Sequence, residues 1–166
     1  MLTLIIWVDA CLARIEKWLL IALSASLGLL LIAQVVLRYL FDAPLFWAEE
    51  VAVQMLVAMS FVGVSYLIHQ QQLVSIDFIY LMLKKPLRRL VQNLFQLVAL
   101  VTLIFFAWLT YQWVSAPLTQ IELSPTTQLP RWYNYSVLLI AFITMSFHQF
   151  VHWFESLGKL VSGDNT

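Results

Sequence analysis

Four long stretches of the chain are apolar and almost free of charge. They cover residues 18–37, 51–68, 90–121 and 132–154. Each stretch holds about 18 residues or more, and a helix that rises about 1.5 Å per residue needs about 20 apolar residues to cross a bilayer core. The pattern therefore predicts an all-α integral membrane protein with four transmembrane helices.

The polar positions between these stretches give the expected bounds of the helices. We expect transmembrane spans at about residues 16–39, 45–69, 87–115 and 131–156, within a single four-helix domain. Shorter helices are expected to lie in the membrane interface, at about residues 3–15 and 76–85. In the first of these, one face is apolar (Leu4, Val8, Cys11, Leu12, Ile15) and the other is polar (Asp9, Ala13, Glu16, Lys17). Residues 116–130 contain three prolines and predict an ordered external loop.

The basic residues are distributed very unequally between the two sides of the predicted membrane domain. Arg38 and Arg131 fall on one side. The other side has seven basic residues: Arg14, Lys17, Lys84, Lys85, Arg88, Arg89 and Lys159. Short cytoplasmic segments carry an excess of Lys and Arg. The distribution predicts that both termini lie in the cytoplasm.

Composition narrows the range of functions. The 166 residues are 62% apolar and 11% charged, with a formal net charge of zero, so nucleic-acid binding is not expected. Cys11 is the single cysteine, and the sequence has no nucleophile–base motif, phosphate loop or metal-ligand motif. We expect no enzymatic activity and no metal site. Residues 1–8 carry no positive charge and Asp9 follows at once, so a cleaved signal peptide is not expected.

An acidic pair, Glu49 and Glu50, opens the second span, and Arg38 lies near the end of the first. In a helical hairpin these positions lie at similar height, so Arg38 can form an ion pair with one of the two carboxylates. Three interpretations remain open. The pair is solvated in the interface, it forms a salt bridge within the hairpin or between subunits, or one carboxylate couples an ion to transport.

Polar side chains also recur toward the cytoplasmic ends of the spans. They are Ser65 and His69 in the second span, Gln92 and Gln96 in the third, and Thr144, His148 and His152 in the fourth. Their similar depth predicts a hydrogen-bonded belt that packs the helices together. An alternative is haem b ligation by His69 with His148 or His152, which would make the chain an electron-transfer subunit.

The connection between the first two spans carries the most specific motif of the chain, Arg38-Tyr39 followed by Trp47-Ala48-Glu49-Glu50. Looser motifs follow at Gly63, 74–77, 129–130 and Tyr135. With these motifs the chain resembles the small membrane subunit, the DctQ-like or Q component, of tripartite ATP-independent periplasmic (TRAP) transporters. The resemblance extends over nearly the whole chain.

This resemblance implies a function that the residues alone do not reveal. Such a subunit lies in the bacterial inner membrane, among lipids, beside a large multi-span subunit that holds the sodium and substrate sites and moves like an elevator. A periplasmic binding protein delivers an organic acid such as a dicarboxylate or sialic acid. The small subunit is then a scaffold that binds no cofactor itself. Because the chain ends at Thr166, we expect it to be separate from the large subunit. A small independent exporter acting as a homo-oligomer is a further alternative.

Overall fold

The chain is helical along nearly all of its length. A computed structural model describes residues 2–72 and 85–161. Within these ranges five helices follow one another: α1 (Leu2–Leu40), α2 (Ala48–His69), α3 (Lys85–Val114), α4 (Pro117–Ile121) and α5 (Trp132–Val161). Helices α1, α2, α3 and α5 contain segments long and apolar enough to cross a membrane. The all-α membrane fold is confirmed, while the predicted interfacial helix at about 76–85 lies outside the described residues except for its last position.

Helix α1 corrects the predicted boundary near residue 15. The segments expected as an interfacial helix and a first span form one continuous helix of 39 residues. Its sequence holds no proline, and its first glycine is Gly28, so nothing interrupts the helix near residue 15. At about 1.5 Å per residue it is about 58 Å long, well beyond a hydrocarbon core of about 30 Å. The amino-terminal half of α1 therefore continues along the same axis as the span.

The four long helices pack in a definite order. Helices α2 and α5 lie at the centre, with α1 against α2 and α3 against α5. Ile68, Ala141 and Met145 form a buried apolar cluster between α2 and α5, and aromatic rings extend it toward α3. The ring of Phe142 lies 5.7 Å from the ring of Phe61 and 5.7 Å from that of Phe106, centroid to centroid. Aromatic pairs at this spacing contribute beyond the area they bury.

The outer faces of the bundle are apolar. Large side chains on every long helix are exposed, including Trp18 on α1, Val53 on α2, Phe105 on α3 and Ile140 on α5. Contiguous apolar surface of this extent is unusual on a soluble monomer, but it is what lipid tails or a neighbouring membrane subunit require. The chain is a multi-pass membrane protein whose interior is small and whose outside is hydrophobic.

The loop between α3 and α5 is ordered by its own hydrogen bonds, as the prolines predicted. It contains the short helix α4 and an isolated antiparallel bridge between Leu123 and Pro130. The Ser124 N–H donates to the Leu129 carbonyl at 2.9 Å, and the Arg131 N–H donates to the Glu122 carbonyl at 2.9 Å. The Arg131 guanidinium also pairs with the Glu122 carboxylate at 2.5 Å. This loop closes the end of the bundle that is opposite to the termini.

The charge distribution and the antiparallel helix order together predict the topology. A green fluorescent protein fused to the carboxyl terminus should fluoresce and an alkaline phosphatase fused there should be inactive, because both termini are expected in the cytoplasm. Fusions within the loop that follows α4 serve as the control and should give the reverse result. Active phosphatase at the carboxyl terminus would contradict this orientation.

Candidate functional site

The most polar part of the interior is a buried cluster contributed by three helices. Each helix supplies two residues that lie one or two turns apart and therefore share a face. The cluster consists of Asp9 and Glu16 from α1, Ser65 and His69 from α2, and Thr144 and His148 from α5. We refer to these six residues as the polar cluster.

His148 is the centre of the polar cluster. Its side chain has no exposed surface, and its two ring nitrogens face two carboxylates. Nδ1 lies 2.6 Å from Oδ1 of Asp9, and Nε2 lies 3.2 Å from Oε2 of Glu16. An ionised carboxylate only accepts hydrogen bonds, so a ring nitrogen that faces one is placed to donate. His148 therefore bridges the carboxylates of Asp9 and Glu16.

The remaining carboxylate oxygens of the polar cluster are also hydrogen-bonded. Nδ1 of His69 lies 2.7 Å from Oδ2 of Asp9. The Ser65 hydroxyl donates to Oε1 of Glu16 at 2.6 Å, and its oxygen lies 2.9 Å from the hydroxyl of Thr144. Only 3% of Asp9 and 5% of Glu16 is exposed. Buried charges are tolerated when they are paired and hydrogen-bonded, and both carboxylates meet that condition.

The structure brings part of the predicted polar belt together. Ser65, His69, Thr144 and His148 lie in one cluster. His152 lies one turn beyond His148, and its Nδ1 is 2.9 Å from Nε2 of Gln71. Its hydrogen bond therefore runs to the turn that follows α2 and not to the polar cluster.

The two glutamines of α3 differ from the prediction. Gln92 is exposed and takes no part in helix packing. Asn93, the next residue, points inward, and its amide donates to the Ser156 hydroxyl at 3.1 Å. Gln96 contributes its backbone carbonyl, which accepts from the Gln149 amide at 3.2 Å, while its side-chain oxygen is buried. Adjacent helical residues point about 100° apart, so one of the pair 92 and 93 has to face outward.

Asp9 and Glu16 were assigned by sequence to the solvated face of an interfacial helix, and this assignment is wrong. Asp9, Ala13 and Glu16 are all buried, so this side of α1 faces the bundle and not the solvent. A signal was present in the sequence. Two carboxylates seven residues apart lie on one helix face, and α2 and α5 each offer a histidine at matching depth. Buried carboxylates require such partners.

The ion pair predicted between Arg38 and the acidic pair is not formed within this chain. Glu49 accepts a hydrogen bond from the Gln34 amide at 3.3 Å. Glu50 accepts from the Gln54 amide at 3.3 Å and from both the N–H and the hydroxyl of Thr126. Arg38 is exposed, and its guanidinium lies 5.9 Å from the ring centroid of its neighbour Tyr39. Gln34, one turn below Arg38, occupies the position that faces Glu49. The alternative, a contact between subunits, stays a prediction.

The geometry does not fit haem ligation by His69 with His148. The rings of His69 and His148 lie 5.1 Å apart, centroid to centroid, and Nδ1 of each faces the same carboxylate, that of Asp9. Both nitrogens of His148 are engaged. A porphyrin held by two histidines has to lie between them, whereas α2 and α5 pack directly on each other through Ile68 and Met145.

A comparison against protein families gives a result consistent with the four-helix architecture and with the motif that contains Glu49 and Glu50. The model of the family described as "Tripartite ATP-independent periplasmic transporters, DctQ component" matches residues 27–159. The chain belongs to this family. The DctQ match includes the α2 and α5 residues of the polar cluster, whereas Asp9 and Glu16 lie before it.

One curated relative of this DctQ-family chain is the sialic acid TRAP transporter permease protein SiaT of Haemophilus influenzae (strain 86-028NP). The two sequences are 31% identical over 93 residues, which is 56% of this chain and 15% of SiaT. The chain therefore spans only a small part of that longer protein. The resemblance to a TRAP small subunit is confirmed by the family match, and the chain is a transporter component.

The polar cluster predicts a strong effect of His148→Ala. Removal of the imidazole leaves Oδ1 of Asp9 and Oε2 of Glu16 buried without their hydrogen-bond partner, and breaking such a buried pair costs about 3–5 kcal/mol of unfolding free energy. Thermal unfolding of the purified chain in detergent measures the loss. His152→Ala is the matched control, because His152 lies one turn away and has a single hydrogen-bond partner among the described residues. Equal stability of the two variants would contradict a central role for His148.

Proposed function

We propose that this DctQ-family chain is the small scaffold subunit of a sodium-coupled TRAP transporter that imports an organic acid across the bacterial inner membrane. Its partners are a large multi-span membrane subunit and a periplasmic binding protein. The chain itself performs no catalysis, and sodium binds in the large subunit. The observation that carries this proposal is the polar cluster, in which every oxygen of the buried carboxylates of Asp9 and Glu16 has a partner within the bundle.

The state of the two buried carboxylates supports the scaffold role. A site that binds and releases sodium needs oxygen atoms free to coordinate a hard cation. Asp9 and Glu16 instead face the imidazole of His148 and the hydroxyl of Ser65, and all four carboxylate oxygens have partners. Their arrangement holds α1, α2 and α5 together, and its imidazole nitrogens are poor ligands for a hard cation such as sodium.

The continuity of the long helices supports the same conclusion. Secondary transporters bind substrate and ions where transmembrane helices are interrupted near the middle of the membrane. Helices α1, α2, α3 and α5 each run as one uninterrupted helix across their apolar segments. Such unbroken helices suit a static support beside a moving neighbour.

Exposed charges at the external end of the bundle are available for contact with another protein or with lipid headgroups. Arg38 and Glu49 are exposed, and Arg38 has no carboxylate partner among the described residues. Charges near a bilayer are normally paired or reach the headgroup layer. We assign Arg38 to the interface with the large subunit.

The proposed class of substrate is inferred from the relative SiaT. SiaT of H. influenzae is named a sialic acid transporter permease. This supports a carboxylated sugar or another organic acid, such as a dicarboxylate, as the cargo of the assembled transporter. The contacts that select it are expected in the large subunit and the binding protein.

Reconstitution tests the scaffold role. Proteoliposomes that contain the large subunit, this chain and the binding protein should take up sialic acid or a C4-dicarboxylate when sodium is added outside. Omission of this chain should abolish that uptake, because the large subunit loses its static support. Proteoliposomes without a sodium gradient are the control. Full sodium-driven uptake without the chain would refute the proposal.

Arg38→Ala tests the proposed interface. We expect several-fold less of the large subunit to copurify with this chain, while uptake per assembled complex keeps its substrate affinity. Arg131→Ala is the matched control, since Arg131 is also external but pairs with Glu122 inside the chain. The measurement is the ratio of the two subunits after affinity purification. An unchanged ratio for Arg38→Ala, or an equal loss for both variants, would place Arg38 outside the interface.

A further inference from the structure

The polar cluster holds a donor set that is also typical of a transition-metal site. Two imidazoles and two carboxylates converge at one point between α1, α2 and α5. We propose that Asp9, His69 and His148 bind a divalent transition-metal ion of the zinc type, with Glu16 as the outer hydrogen-bond partner of His148. This proposal is independent of the transport function.

The three ligand atoms already lie close together. One ligand atom each from Asp9, His69 and His148 can be chosen so that all three lie within 4.8 Å of one another. Zinc holds such ligands at about 2.0–2.2 Å, which in a tetrahedron places them about 3.4 Å apart. The side chains are therefore already near the spacing that the ion needs. A water molecule would complete the tetrahedron.

Glu16 provides the second feature of a metal site. A histidine that binds a metal through one nitrogen almost always donates its other N–H to a carboxylate, a carbonyl or water. Nε2 of His148 faces Oε2 of Glu16 at 3.2 Å, and Glu16 is oriented in turn by the Ser65 hydroxyl at 2.6 Å. Nδ1 of His148 therefore points toward Asp9 and His69 in the orientation that a ligand needs.

The charges balance when a divalent ion is bound. Asp9 and Glu16 carry two negative charges in a region that is nearly inaccessible to water. One bound ion of charge two balances them. The ion takes the Nδ1 lone pairs of His69 and His148, any proton on those atoms leaves to solvent, and the Nε2 proton of His148 stays on its bond to Glu16.

The chemistry of the donors selects the class of ion. Imidazole nitrogen with one carboxylate suits zinc, copper or nickel, whereas magnesium and calcium prefer oxygen ligands alone. Access is available at His69, whose side chain is 23% exposed and lines a surface groove of about 330 Å³. Arg14 and Lys17 line the same groove, so we expect an added cation to enter slowly.

Metal titration of the full-length chain in lipid nanodiscs tests the proposal. After treatment with a chelator, Zn²⁺ should bind with a stoichiometry of one and raise the unfolding temperature, and Mg²⁺ at the same concentration should do neither. Co²⁺ should give the visible absorption bands of a tetrahedral site. His69→Ala should abolish binding, and Glu16→Gln should weaken it about 10–100-fold, as loss of an outer partner does. A wild-type chain that binds no Zn²⁺ would overturn the proposal.

Two variants distinguish this site from adventitious binding elsewhere. Cys11→Ser removes the single thiol, and His152→Ala removes the histidine outside the polar cluster. Both should bind Zn²⁺ like the wild type. Binding that is lost in either variant and kept in His69→Ala would mean an adventitious ion only. X-ray absorption of the zinc-loaded wild type needs no variant, and a spectrum without imidazole scattering would also refute the site.

Discussion

The pairing of His148 with two carboxylates is the interaction on which the arrangement of the helices depends. A site buried between helices gives a charged group little water, so Asp9 and Glu16 are compatible with their positions because imidazole and hydroxyl groups meet their oxygens. The two carboxylates lie seven residues apart on α1. Satisfying both at once fixes the rotation of α1 about its axis and its height against α2 and α5.

This constraint matters because lipid tails are as apolar as the side chains that face them. Burial of apolar surface does not hold transmembrane helices together, so packing and polar contacts have to do so. The chain uses different contacts at different depths. The polar cluster joins α1, α2 and α5, the rings around Phe142 join α2, α3 and α5, and the bond from Thr126 to Glu50 ties the external loop to α2.

A bundle held in this way suits a stationary part of a transporter. The oxygens of its buried carboxylates are hydrogen-bonded within the bundle, and its long helices are unbroken. Arg38 and Glu49 are exposed at the end of the bundle opposite to the termini, and exposed apolar side chains cover the long helices. The chain belongs to the DctQ family, so this bundle is a component of a TRAP transporter.

The four spans, the ordered loop and the family followed from the sequence, because apolar length and the Arg38–Glu50 block are local properties of the chain. The partners of the polar residues did not follow from the sequence. Local pattern placed Asp9 in the interface and offered Arg38 an ion pair with Glu49 or Glu50. The structure buries Asp9 and leaves Arg38 exposed. Which face of a helix turns inward depends on the rotation of each helix against its neighbours. Tertiary packing alone decides that rotation, since groups as distant in sequence as Asp9 and His148 must meet to compensate each other's charge.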